Sequence, residues 1–318
     1  MYSCLKVATT KYLVTGGAGF IGSHIAEALL DRGDSVRIFD NLATGRISNL
    51  AALKGRAEFV EGDLRDLDSM RSAVEGVEVV FHQGALASVP RSIADPIRSL
   101  ETNINGTQNV LIAARDAAVR RVVYASSSSV YGNTPTLPKR EDMPTNPMSP
   151  YALQKLTGEL LCGIFTRIYE FETVALRYFN VFGPRQDPTS EYAAVIPRFL
   201  TALIEKRRPI IFGDGEQTRD FTYIANVVQA NLLAATAPQA VGHAMNIGCG
   251  EQISLNTVLH IAGDLLGVTV DAEYRDPRPG DVRDSLADIS LARRLLAYKP
   301  IVSFREGLAY TLDSLRVN

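Results

Sequence analysis

Tyr151 and Lys155 stand four residues apart in a stretch that reads as helical, so the phenol and the ammonium share one face. An ammonium beside a phenol favours phenolate and lowers a pKa that is ordinarily about 10. A phenol lowered in this way can take a proton from an alcohol. Ser126, Ser127, Ser128 and Ser129 close a short apolar run. Hydroxyls at the carboxyl end of a parallel strand point into the ligand crevice, where one can donate to an oxygen as charge develops on it. Each signal has a plain alternative: a surface pair for the tyrosine and lysine, a polar turn for the serines.

The second group is glycine-rich. Gly16, Gly19 and Gly22 fall in the run 16–22 with spacing G-x-x-G-x-x-G, after a strand-like run and ahead of a helix. N–H groups at a helix start carry partial positive charge and lack internal partners, which suits a pyrophosphate, and glycines let the backbone approach it. Asp40 closes the next strand, about 20 residues further on, where an acid holds ribose hydroxyls and repels a 2′-phosphate. The pattern therefore predicts NAD in preference to NADP, with Arg46 the nearby cation of opposite preference. Asp63, at the end of the third strand-like run, is placed to accept from an adenine amino group.

These side chains need a scaffold. Strand-like runs at 12–14, 35–40, 57–61, 77–82, 122–125 and 173–178 alternate with helical stretches at 20–32, 70–75, 102–118 and 151–169. That alternation predicts an α/β fold, a Rossmann-like doubly wound parallel sheet covered on both faces. The later half is less regular. Helices are expected at 195–205 and 224–235 and after Ser254 and Ser290, with short strands at 209–212 and 244–247. We assign 11–179 to a dinucleotide-binding domain and 180–318 predominantly to a smaller mixed α/β substrate-binding lobe, with some later segments able to return to the first domain.

The chain has 318 residues, of which 46% are hydrophobic, enough for a packed core. A formal net charge of −2 leaves no footprint for nucleic acid or an anionic membrane. The apolar runs are too short to span a bilayer, and the first ten residues do not read as a secretory signal. Cys4, Cys162 and Cys249 are odd in number and widely spaced, which points to unpaired thiols in a reducing cytoplasm and to no metal site.

Taken in order, these motifs resemble the extended short-chain dehydrogenase/reductases, and among them the UDP-sugar 4-epimerases. Further segments carry the resemblance: Asn103-x-Asn105-Gly106-Thr107, the run 176–184, Gly213-Asp214-Gly215 with Arg219-Asp220-Phe221, and Arg278-Pro279-Gly280-Asp281. The resemblance implies Tyr151 as base, Lys155 as its partner and Ser127 as the supporting hydroxyl. It implies cofactor contacts at Gly16, Gly19, Phe20, Ile21, Asp40, Asn41, Gly45, Asp63, Leu64, Gln83, Ala85, Ala87, Asn103, Tyr151, Lys155 and Tyr178. For the nucleotide sugar it implies Ser88, Ser127, Ser128, Ser129, Tyr151, Asn180, Gln186, Ala194, Val195, Phe212, Arg219, Arg278, Asp281 and Ser285. Asn180 would face the diphosphate and Arg219 and Arg278 would clamp it, as forked guanidinium donors suit phosphate.

Dehydratases and decarboxylases of this kind place acids where Ser128 and Ser129 stand here, so the resemblance favours 4-epimerisation. Ser285 takes the position that borders the sugar's C2 substituent. A small residue there leaves room for an N-acetyl group, which implies UDP-GlcNAc/UDP-GalNAc, with UDP-Glc/UDP-Gal beside them. A UDP-glucuronic acid 4-epimerase is the neighbouring reading, and a non-catalytic dinucleotide sensor the reading from another class. The long helices near 102 and 151 resemble those that form family homodimers. Gln83-Gly84, Ala87 and Asn226 depart from the commoner pattern without removing a catalytic group.

Overall fold

The computed structural model describes residues 10–187, 194–277 and 283–317. Its first half is a run of strands and helices: β1 (Lys11–Thr15), α1 (Phe20–Asp31), β2 (Ser35–Asp40), β3 (Glu58–Glu61), α2 (Leu67–Ala73), β4 (Val79–His82), α3 (Val89–Ala94), α4 (Pro96–Leu100), α5 (Gly106–Asp116), β5 (Arg121–Ser127), α6 (Pro150–Tyr169) and β6 (Glu172–Tyr178). The second half adds β7 (Val181–Phe182), α7 (Val195–Ile204), β8 (Ile210–Phe212), β9 (Thr218–Arg219), β10 (Thr222–Tyr223), α8 (Ile224–Ala234), β11 (Ala244–Ile247), β12 (Ile253–Ser254), α9 (Leu255–Leu266), β13 (Glu273–Arg275), α10 (Ser290–Leu296) and α11 (Phe304–Val317).

Seven strands form one parallel sheet in the order β3-β2-β1-β4-β5-β6-β11. The central strands are apolar on both faces. Leu13, Val14, Val80, Phe81, Val122 and Val123 have no exposed surface, as a sheet covered by helices on both sides requires. The winding reverses between β1 and β4, which opens a crevice at the carboxyl ends of these strands, the usual ligand position in such sheets. β11, at Ala244–Ile247, pairs with β6, so the chain returns to this sheet late in its course. The remaining short strands pair as β7 with β10, β9 with β12 and β8 with β13 beyond the carboxyl edge. Among the described residues, no helix is long and apolar enough to cross a membrane.

Three elements differ from the sequence reading. The helix expected at 102–118 opens with a π-turn over Glu101–Asn105, and α5 proper ends at Asp116. The stretch ahead of it holds two short helices, α3 and α4, each with a proline in its first turn and a side-chain cap from Ser88 or Asp95. The C-terminal helix α11 was not foreseen, although Ser303 and Glu306 form a capping box at its start: Ser303 N–H donates to Glu306 Oε2 at 2.9 Å and Glu306 N–H to Ser303 Oγ at 3.4 Å.

Candidate active site

A cavity of about 1190 Å³ runs along the carboxyl edge of the sheet, from the glycine turn past β4 and β5 to Asn180, Arg219 and Ser285. At one end, Gly19 caps α1 without any side-chain hydrogen bond, so the N–H groups of Phe20, Ile21 and Gly22 have no intrahelical acceptor and face the cavity. The turn depends on its glycines. Gly16 has φ +65°, and a Cβ there would lie 2.6 Å from Gly84 Cα; at Gly22 it would lie 2.3 Å from the Gly16 carbonyl. Asp40 ends β2 at the same wall, its carboxylate accepting from Ala18 N–H at 3.0 Å and Leu42 N–H at 2.8 Å. Burial raises its pKa against those two bonds. Its remaining lone pairs suit ribose hydroxyls and leave no donor for a 2′-phosphate. Arg46 pairs with Asp187 and does not line this part of the cavity. This donor set, an open helix start beside a recessed carboxylate, fits a dinucleotide carrying unmodified ribose.

At the other end stand Ser127, Tyr151 and Lys155, delivered by the end of β5 and the first turns of α6. Ser149 caps α6 through Ala152 N–H at 3.1 Å, and Pro150 occupies its first turn, so this helix starts where Tyr151 must sit. Lys155 Nζ donates to the Ala125 carbonyl at 2.7 Å and lies 5.9 Å from the centre of the Tyr151 ring. This corrects the expectation of a phenol already lowered by its lysine. Burial pushes Tyr151 up to about 12, opposed by a hydrogen bond with Ser127, and pushes Lys155 down to about 8. Desolvation disfavours both charged forms, and the ammonium is held on a carbonyl of β5 instead of on the phenol.

Most predicted residues converge on this cavity: Gly16, Gly19, Phe20, Ile21, Asp40, Asn41, Gly45, Asp63, Leu64, Gln83, Ala85, Ala87, Ser88, Ser127, Ser128, Ser129, Tyr151, Lys155, Tyr178, Asn180, Gln186, Ala194, Arg219 and Ser285 line it. Ser129 Oγ and Gln186 Oε1 are buried behind this lining without a hydrogen-bond partner.

Others are placed differently. Asn103 lies behind the wall: its amide donates to Gln154 Oε1 at 2.7 Å and accepts from Leu86 N–H at 2.8 Å, so it pins the 83–88 segment instead of facing the ligand. Val195 and Phe212 fall outside the lining. Asp63 lines the cavity, but Arg65 and Asn41 fill its acceptor positions and hold its carboxyl well below the usual range. The amide of Asn180, at φ +29°, donates to the Asp220 carbonyl at 3.1 Å and Ser285 Oγ at 3.0 Å, so it orients Ser285 instead of presenting donors to a diphosphate. Arg219 spends donors on the Thr218 and Arg283 carbonyls while lining the cavity. Arg278 and Asp281 lie outside the described residues. Sequence reasoning missed Lys139 and Arg198, which also line the cavity. Arg198 was legible, being one helical turn beyond Ala194.

The family model for the NAD dependent epimerase/dehydratase family matches residues 12–248. A UDP-glucose 4-epimerase from Mycolicibacterium smegmatis is 40% identical over 310 residues, covering 96% of this chain and 98% of that protein. The solved UDP-N-acetylglucosamine 4-epimerase of Methanobrevibacter ruminantium M1, in complex with UDP-N-acetylmuramic acid, superposes with a TM-score of 0.93 at 41% identity, covering 97% of this chain and 99% of that one. The UDP-glucuronic acid 4-epimerase of Bacillus cereus, in complex with UDP-glucuronic acid and NAD, gives a TM-score of 0.89 at 34% identity with 97% and 99% coverage. The phosphate turn, the recessed Asp40 and the Ser127, Tyr151 and Lys155 cluster therefore sit in a fold shared over its whole length, and the chain belongs to the NAD-dependent epimerase/dehydratase family.

Proposed function

We propose that this protein is an NAD-dependent UDP-sugar 4-epimerase acting on UDP-GlcNAc and UDP-GalNAc, with UDP-Glc and UDP-Gal as further substrates. The observation that carries this reading is one continuous cavity with a dinucleotide cradle at one end and a hydroxyl, phenol and ammonium cluster at the other. NAD, when bound, supplies a hydride acceptor and, in the return direction, a hydride donor. The chain's own residues do the rest. Tyr151 takes the proton of the sugar 4-hydroxyl and gives it back on the other face. Ser127 donates to the same oxygen. Because burial opposes ionisation of Tyr151, cationic charge must stabilise the phenolate, and this reading assigns that role to Lys155, whose ammonium lies 5.9 Å from the ring centre. Arg219 holds the diphosphate, so the sugar can change face while the nucleotide stays. Ser128 and Ser129 bring no second acid–base group to the site, which leaves elimination or decarboxylation without its expected machinery.

Ser285 supports the N-acetylated substrates. It is small, lines the cavity, and accepts from Asn180, so its own proton remains for a ligand acceptor. Turnover of UDP-GlcNAc, UDP-GalNAc, UDP-Glc and UDP-GlcA by the parent and Ser285→Tyr tests this. The variant loses the N-acetyl sugars and keeps UDP-Glc; unchanged N-acetyl turnover removes the argument, and turnover of UDP-GlcA alone replaces it with the uronate reading.

A homodimer through α6 with α3 and α4, in place of the helix near 102 expected from the sequence, belongs to the same proposal. Leu153, Leu160, Ile164 and Ile168 make an exposed apolar stripe on α6, with Ile93, Ile97 and Leu100 exposed on α3 and α4. Contiguous apolar faces of this kind mark interaction sites. Unpaired Cys162 and Cys249 fit a reducing, cytoplasmic setting.

A further inference from the structure

Lys139 is a cavity-lining lysine with only 2% of its surface exposed. Its backbone is fixed on both sides: Lys139 N–H donates to the Leu286 carbonyl at 2.7 Å, and Asp288 N–H and Asn246 Nδ2 donate to the Lys139 carbonyl at 2.9 and 2.8 Å. This ties the loop after β5 to the segment that carries Ser285, at the sugar end of the cavity. The ammonium donates to the carbonyl and the hydroxyl of Thr134, the latter at 2.8 Å. Three N–H donors meet two acceptors, and among the described residues no carboxylate pairs with it. Burial also pushes its pKa down. A desolvated cation without a counter-ion is unfavourable unless a ligand atom completes its shell.

We propose that Lys139 is a sugar-binding residue whose third N–H donates to an oxygen of the hexose held between Ser127 and Ser285. The proposal rests on the nucleotide-sugar reading and deepens it, adding a cationic contact to the hexose that is independent of the diphosphate contacts. It places the specificity for the glycosyl group partly on the loop after β5.

Calorimetric affinities for UDP-GlcNAc and for UDP alone, in the NAD-loaded protein, separate the two. Lys139→Met weakens UDP-GlcNAc about tenfold or more, the scale of a hydrogen bond to a charged group, and leaves UDP unchanged. Thr134→Val, which removes only the hydroxyl tether, leaves both unchanged. If Lys139→Met does not fold, Lys139→Gln takes its place in the same comparison. Equal weakening of UDP and UDP-GlcNAc, equal effects of the Thr134 and Lys139 variants, or no change in either ligand overturns the proposal. Absence of epimerisation by the parent enzyme, with the Lys139 difference intact, overturns the catalytic reading instead.

Discussion

At the scale of single residues, His82 shows how the site is held from behind. Thr107 Oγ1 donates to the Asn103 carbonyl at 2.7 Å, so it accepts from His82 Nε2–H at 3.0 Å. His82 Nδ1 is left to accept from Thr15 Oγ1 at 2.7 Å, next to the phosphate turn. This arrangement needs neutral imidazole, and burial, with Lys155 nearby, holds its pKa down to about 3. The unfolded chain, with an ordinary histidine near 6.5, takes up the proton first. Stability is therefore fully present above pH 6.5 and falls by about 1.4 kcal/mol per unit as pH drops from there towards 3. The difference in stability between parent and His82→Gln, read from urea midpoints across that window, should change with this slope; a difference independent of pH contradicts the assignment.

At the scale of elements, one buried ion pair locks β5, β6 and α6 together. Arg177 on β6 meets Glu159 on α6 in a fork at 2.9 and 2.7 Å, Ser126 of β5 donates to Glu159, and Arg177 Nη1 donates to Tyr131 Oη at 2.7 Å. Both partners are almost fully enclosed. Removing one member strands the other, so Arg177→Ala should lower unfolding free energy by about 3–5 kcal/mol, read from denaturant midpoints. A loss under 1 kcal/mol removes this pair from the account. No sequence pattern announced the pair, because strand order and register place its members opposite each other. The same is true of Asn103 and Asn180. Their motif positions were readable, but whether each amide faces the cavity or a neighbouring loop depends on partners distant in sequence, Gln154 for one and Ser285 for the other. By contrast, the glycine turn, Asp40 and the Tyr151 and Lys155 spacing were readable because their geometry is local to one turn of helix or one strand end. The start of α11 was equally local and was overlooked.

At the scale of the whole molecule, residues from both halves of the chain line the cavity, and β11 joins the later half to the sheet that carries Asp40 and the glycine turn. The exposed stripe on α6 should bury itself against a second copy. Light scattering is expected to give a dimer for the parent and a monomer for the double variant Leu160→Glu, Ile164→Glu; a monomeric parent contradicts the proposed assembly. In the proposed mechanism, catalysis rests on one phenol, that of Tyr151. The measurement that reaches it most directly is equilibration of UDP-GlcNAc with its 4-epimer, followed by NMR, for the parent and Tyr151→Phe with bound NAD quantified in both. The account predicts conversion by the parent and a rate about 10²–10⁴-fold lower in the variant, with NAD content unchanged. A variant that epimerises at the parent's rate would contradict it.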